Sequence, residues 1–367
     1  MKNSFGSNMT VTLFGESHGP AVGAVLDGLC PGLAVAEATI ERQLSRRRPS
    51  LATDTARVEP DNYRILSGVF NGRTTGAPLC IVIPNENVRS GDYDYGKARP
   101  SHADYAAFAK YHGYEDYRGG GHFSGRVTAA LVAAGAIVLP ALEAVGVRVG
   151  THILHCGGAE DAPFSDDGIE YELTKLAQAA FPVLSEEAGL RMAERIAAAK
   201  AEGDSLGGVT QTAVTGLPAG LGEPWFDSVE SLLSHALFSV GGIKGVDFGV
   251  GFSGADLRGS QYNDPLRVED GAVKTLSNRN GGVNGGITNG MPVTFRCAVK
   301  PTPSIAKAQR TVDFINNENT EIEIKGRHDP AIIRRICPVI DSVTALTVYD
   351  LLAGRFGTDC FVKGIGV

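Results

Sequence analysis

Two histidines and four arginines of this chain stand in turns marked by glycine or proline. His18 lies in GESHG (15–19) and His102 in RPSHAD (99–104). Arg47 belongs to RRRPS (46–50), and Arg99 opens RPSHAD. Arg126 closes DYRGGGHFSGR (116–126), and Arg327 precedes Asp329 in KGRHDP (325–330). Guanidinium forks match phosphates and carboxylates two bonds at a time. An imidazole can move a proton near neutral pH. Together these residue types suit a small polyanion that gains or loses a proton or a phosphate.

The glycine run Gly119–Gly121 admits two readings. Successive glycine N–H groups can cradle an anion, and the segment leads into a helix whose N-terminus favours negative charge. Arg126 opposes that dipole, so an anionic ligand between the glycines and Arg126 would resolve the conflict. The alternative is a tight turn with Arg126 in a structural salt bridge. RRRPS places three arginines in the last turn of a helix, more than dipole complementarity needs. Ser101 can cap a helix whose first turn carries His102, where the dipole lowers an imidazole's proton affinity. Asp329-Pro330 forms an N-cap and first-turn pair, which is itself a sufficient reason for Asp329.

These turns need elements to hold them. Strand-like runs rich in β-branched residues are TVTLF, AVGAVLDGL, YRILSGVF, PLCIVIP, VRVGTHIL, GVTQTAVTGL, GVDFGVGF and PVTFRCAV. Helices are predicted over 36–48, 102–112, 126–145 (buried), 186–202 behind Ser185, 228–240, and from Asp329-Pro330 to about Arg355 with a kink at Pro338. The order lacks regular βαβ alternation and predicts a layered α+β fold, not a doubly wound sheet. VLDGLCPGL (25–33) echoes AVTGLPAGL (213–221); two structural halves or coincidence would explain it.

The net charge of −7 over 367 residues argues against nucleic-acid binding. Six cysteines sit singly with no metal-site spacing, so they are expected to be reduced and mostly buried, and no metal is expected. The opening MKNSFGSNMTVTLFG has no apolar signal core, and Val127–Leu142 is too short and interrupted to span a membrane. A cytoplasmic protein without membrane contact is expected. GVGFSG (249–254) fits a dinucleotide fingerprint but no amphipathic helix follows it. GDYDYGKA (91–98) lacks the hydroxyl a phosphate loop needs and carries two repelling aspartates.

On these residues the chain resembles the chorismate synthase family. The matching segments are FGESHGPAVGAVLDGLCPGL (14–33), RRRPS (46–50), LSGVFNGRTTGAPL (66–79), RPSHADY (99–105), DYRGGGHFSGRVTAA (116–130), GDSLGG (203–208), GLPAGLGEP (216–224), KGVDFGVGF (244–252), RGSQYND (258–264), NGGVNGGITNG (280–290), KPTPS (300–304) and KGRHDP (325–330). They follow the family's order over almost the whole length. The resemblance implies one domain over 1–367, a β-α-β sandwich typically assembled as a homotetramer. It implies anti 1,4-elimination of phosphate from 5-enolpyruvylshikimate 3-phosphate to give chorismate, a step of the shikimate pathway. Reduced FMN is required without net redox change, and an external flavin reductase is the expected source because no NADPH-using domain is visible.

By the same resemblance His18 is the acid that meets the leaving phosphate, and His102 sets the protonation of the reduced flavin. Asp329 with Ser17 would draw the hydrogen back off the flavin. Arg47, Arg126 and Arg327 would hold the substrate's anions. The flavin site would comprise His122, Phe123, Ser124, Gly241, Gly242, Gly285, the run Lys300, Pro301, Thr302, Pro303 and Ser304, and Arg327. The chain departs from the family where GHFSGR stands for GRSSAR, Gly241-Gly242 for Asn-Ala, and KPTPS for KPTSS. A second arginine usual after RRRP is missing from SLATDTA, with Arg57 the nearest substitute. Rival readings are a flavin-dependent reductase and a non-catalytic flavin- or anion-binding protein.

Overall fold

The β-branched runs form two antiparallel five-stranded sheets. A computed structural model describes residues 2–55, 60–86, 95–269, 271–324 and 328–365. Arg57, Arg327 and the start of GDYDYGKA lie outside the described residues. The first sheet is ordered Ser4–Phe5, Thr10–Gly15, Ala21–Asp27, Leu79–Pro84, Arg64–Ser67. The second is ordered Ile243–Phe248, Val293–Val299, Gly208–Thr215, Arg148–Cys156, Ala159–Glu160. Antiparallel neighbours need no helical crossover, so the helices are free to fill the space between the sheets. The two echoed segments begin in Ala21–Asp27 and Gly208–Thr215, each the middle strand of its sheet.

The helix Thr128–Ala144 packs on Ala21–Asp27 and Leu79–Pro84 of the first sheet and on Arg148–Cys156 of the second. It is apolar on every side, as a helix enclosed between layers must be. Its partner, Ile333–Phe356, contacts it and the second sheet. A Cβ at Gly135 would collide with Ser342, so glycine sets how closely the two helices approach. Residues of both sheets and both helices share one apolar core. Gly125–Ala144 and Ile333–Phe356 are long and apolar enough to cross a membrane, yet 78% and 94% of their apolar windows are buried inside the protein.

Ser185 and Ser228 cap the helices Glu186–Ala201 and Val229–Phe238 through their hydroxyls. Two helix starts differ from expectation. The helix predicted over 102–112 spans Asp104–Tyr111, and Ser101, at φ 59°, does not cap it. The Asp104 carboxylate instead accepts from the Arg99 backbone N–H at 2.9 Å, closing a turn that leaves His102 ahead of the helix. The last helix begins at Ile333 with Ile332 in the N-cap position, so Asp329 stands ahead of the cap, and one of its oxygens pairs with Arg335 instead. GVGFSG runs into a 3-10 turn, Gly251–Asp256, so no helix N-terminus stands there for a dinucleotide. The hairpin Gln309–Asp313/Glu318–Ile322 carries no signal that the strand reading caught. It lies against the chain before His102, with Ala98 N–H donating to Val312 O at 3.1 Å.

Candidate active site

The strand Thr10–Gly15 ends at a glycine with φ 96°, and the chain turns through Glu16–Gly19. Ser17 and His18 are buried in that turn. The Ser17 N–H donates to Gly121 O at 3.0 Å, which docks the glycine run on the turn. Gly119 holds φ 62°. A Cβ there would stand 2.5 Å from His18 Nε2 and 2.9 Å from Ser17 Oγ. One at Gly120 would stand 3.7 Å from Arg99 Nη2, and one at Gly121 would strike the Asp116 carbonyl. Gly119 and Gly121 therefore bring backbone where a side chain cannot fit, against His18, Ser17 and the Asp116 carbonyl, while Gly120 lies in ordinary contact range of Arg99. Ser17 Oγ is buried with no hydrogen-bond partner among the described residues.

His102 is fixed from both ring nitrogens. Nδ1 lies 3.2 Å from Pro100 O and Nε2 lies 3.0 Å from Ser304 Oγ. A carbonyl only accepts, so Nδ1 carries the proton and Nε2 accepts from the serine hydroxyl. Burial, then the charge of Arg99, lowers its pKa from 6.5 to about 4. The helix dipole expected from sequence is replaced by these causes, with the same sign. Lys300 Nζ donates to Ser101 O at 2.7 Å, and Ser205 Oγ donates to Thr302 O at 2.6 Å, seating the 300–304 loop beside His102. Thr302 Oγ1 is buried without a hydrogen-bond partner among the described residues.

Arg47 and Arg126 meet at a carboxylate the sequence reading did not single out. Asp61, buried at the side chain, pairs with Arg126 Nη1, with Arg47 Nη1 at 3.3 Å and with Arg48 Nε at 3.5 Å. Arg126 also donates to Asn85 Oδ1 at 2.9 Å and Pro84 O at 3.0 Å. Arg47 donates to Thr128 Oγ1 at 2.9 Å and Gly125 O at 3.0 Å, around the start of the core helix. The salt-bridge alternative for Arg126 is thus realised, and ligand contacts would have to share these groups.

Asp329 is reached through the same arginine-rich helix end. Its Oδ2 accepts from Arg335, and Arg335 Nε donates to Arg47 O at 2.8 Å. Asp329 Oδ1 is buried without a hydrogen-bond partner among the described residues. Burial raises its pKa above 3.8, opposed but not overcome by Arg335.

The remaining flavin residues divide. His122 Nδ1 donates to Gly15 O at 3.0 Å, and Ser124 Oγ accepts from Arg126 N–H at 3.3 Å. Gly242 O accepts from Lys300 N–H at 2.9 Å. Phe123 is exposed against Tyr111, and Gly241 is exposed with nothing within 4 Å of a notional Cβ. Gly285 turns the short hairpin Val283–Asn284/Ile287–Thr288, whose Gly286 rests on Ser228. No hydrogen bond described here ties Gly285 to the histidines. A hollow of about 660 Å³ along Glu186–Ala201, lined by Glu160, Arg191, Glu194 and Arg195, shares no residue with this cluster.

The family model described as "Chorismate synthase" matches residues 9–353. The chain belongs to the chorismate synthase family. A chorismate synthase of Korarchaeum cryptofilum is 46% identical over 350 residues, covering 94% of this chain and 96% of that protein. One from Pyrococcus abyssi is 44% identical over 353 residues, covering 95% and 97%. A solved structure titled "Crystal Structure of Chorismate Synthase" superposes with a TM-score of 0.75 at 27% identity, covering 96% of this chain and 94% of that one. The fold is therefore the α+β architecture of chorismate synthases, and the chain is a lyase of the shikimate pathway.

Chorismate synthases use reduced flavin, and the residues present fit one. The buried hydroxyls of Ser17 and Thr302, without a hydrogen-bond partner among the described residues, can each serve a polar ring edge. Lys300 supplies a cation, and glycines 119–121 keep side chains out of the space before His18. Three contributors escaped the sequence reading: Asp61, Asn85 and Arg335. Arg335 alone had a legible signal, since Arg334 and Arg335 are cations in a first helical turn, where the dipole disfavours them.

Proposed function

We propose that this chain converts 5-enolpyruvylshikimate 3-phosphate to chorismate and phosphate by anti 1,4-elimination, with its own residues in the following roles. The observation that carries the reading is the convergence of Ser17, His18, Arg99 and the glycine run, with Arg99 also acting on His102. FMN, when bound in reduced form, supplies transient electron density that helps phosphate leave without net redox change. His122, Ser124, Lys300, Thr302 and Ser304 would hold it, with Phe123, Gly241, Gly242, Gly285, Pro301, Pro303 and Arg327 assigned by family likeness.

His18 gives a proton from Nε2 to the departing phosphate oxygen. His102, neutral because of burial and Arg99, offers Nδ1–H as donor and Nε2 as acceptor and so fixes the proton inventory beside the 300–304 loop. Asp329, assisted by Ser17, takes up at Oδ1 the proton that is given back once the hydrogen has left the ring carbon. A side-chain base alone could not remove that hydrogen as a simple proton. A raised pKa makes a carboxylate a stronger base than it is in water. Arg47 and Arg126 exchange part of their Asp61 contacts for the substrate's anions, with Arg327. A single domain over 1–367, a homotetramer, a cytoplasmic setting and an external flavin reductase complete the reading.

The test is anaerobic incubation of the purified protein with substrate and pre-reduced FMN, following chorismate and phosphate. Both are expected in equal amounts, and His18→Ala should lower turnover by about 10²-fold or more. No product, or full turnover in His18→Ala, overturns the reading. Turnover driven by NADPH with oxidised FMN and no reductase overturns the external-reductase part.

A further inference from the structure

Asn85 follows the last residue of Leu79–Pro84, and its backbone N–H donates to Pro20 O at 3.1 Å. That bond prolongs the pairing of Leu79–Pro84 with Ala21–Asp27 by one step and aims the side chain at the His18 turn. Asn85 Nδ2 donates to Glu16 O at 2.9 Å and to Gly19 O at 2.8 Å. These carbonyls flank Ser17 and His18 on either side. Asn85 Oδ1 accepts from Arg126 Nε at 2.9 Å. Carbonyls only accept and a guanidinium only donates, so the partners themselves fix which amide atom is oxygen. Both donors and the acceptor are used, across 69, 66 and 41 residues of sequence.

We propose that Asn85 is a positioning residue that locks the His18 turn to Arg126, so that the proton-donating imidazole and the anion-binding guanidinium keep one geometry. The inference rests on the role given to His18 above. Aspartate keeps the volume and an acceptor for Arg126 but turns a carboxylate towards two carbonyls. A small turn released from this staple can move His18 by a fraction of an ångström without unfolding, because Ser17 N–H remains bonded to Gly121 O. Misplacement of about 1 Å is enough to cost about 10²-fold in rate.

The experiment measures kcat and KM for Asn85→Ala and Asn85→Asp, each alone and with His18→Ala, beside thermal melts. Asn85→Ala should lower kcat by about 10²-fold while KM changes far less. In the His18→Ala background the same substitution should lower kcat far less, since the part that acts through His18 is already gone and only the Arg126 contact is left to lose. Asn85→Asp should recover part of its kcat as pH falls, because a protonated carboxyl regains one donor. Losses that multiply in the double variant overturn the proposal, as does a change confined to KM. Loss of the folded state in both single variants also overturns it, because the side chain would then be a fold element. If His18→Ala alone leaves kcat intact, the functional reading has failed rather than the staple.

Discussion

Asp61 and Asp329 are both buried carboxylates paired with arginine, Asp61 at the C-terminal end of Glu37–Arg47 and Asp329 just ahead of Ile333–Phe356, yet they are bonded in opposite ways. Asp61 meets three guanidinium groups, from Arg47, Arg48 and Arg126, and both its oxygens are engaged. Asp329 pairs with Arg335 through one oxygen and leaves the other without a hydrogen-bond partner among the described residues. The first is a strut: its charge ties a helix end to the start of Thr128–Ala144. The second has a lone pair to spare and a proton affinity raised by burial. The number of donors around a buried carboxylate thus separates the group that holds the site together from the group that can take a proton there.

The sharpest way to break that contrast is to neutralise each carboxylate. Asp61→Asn leaves Arg47 and Arg126 facing an amide, and removing one partner of a buried ion pair costs about 3–5 kcal/mol. A large drop in melting temperature is expected, with activity lost through the fold. Asp329→Asn should do the reverse. It should keep the fold and lower kcat by about 10²-fold or more, as loss of a general base does. Equal destabilisation of the two variants by urea unfolding would erase the distinction.

The contrast could not be read from sequence, whereas much of the frame could. TVTLF and AVGAVLDGL declare their strands because β-branched residues recur on a pleated surface. The helix Thr128–Ala144 is legible because a run of small and apolar residues has no polar face to expose. His18 and His102 are legible as histidines in glycine and proline turns. Their surroundings are not: that Gly119 keeps a Cβ off His18, or that Ser304 reaches His102 across 202 residues, depends on tertiary contact. Asp329 reads as a helix cap by local rules, but the helix starts only at Ile333, and Asp329 meets Arg335 across six residues instead. Asp61 and Asn85 carry no local mark at all. Their importance comes from partners brought from up to 65 and 69 residues away.

The pH dependence of stability offers a finer cut. The folded-state pKa of Asp329 is raised above its ordinary value of 3.8. The folded chain therefore binds this proton more tightly than the unfolded chain does. Its contribution to stability is fully present below 3.8 and is lost as pH rises through the raised value. Asp329→Asn removes that dependence. The unfolding free energy of the variant, relative to the parent, should climb with pH across this window and then level off. A difference that stays flat with pH would mean that Asp329 feels its burial no more than a surface carboxylate does.

The smallest expected effect tests the link between Asp329 and its arginine. Burial raises the Asp329 pKa and Arg335 is the leading force against it. Arg335→Gln removes the cation while a shorter amide can still reach towards Arg47 O. The carboxyl should then hold its proton to higher pH, because the charge opposing its burial is gone. Because Asp329 must be ionised to take up its proton, the acid limb of the kcat–pH profile should move to higher pH with it. The plateau at higher pH should be nearly unchanged, since the base is still in place once ionised. KM should change little, because Arg335 is engaged with Asp329 and Arg47 O and is not among the groups assigned to the substrate. A limb that stays where it is, with a lowered plateau, would show that Arg335 orients the carboxylate without tuning it, and Asp329 would then resemble Asp61 more closely than its unpartnered oxygen suggests.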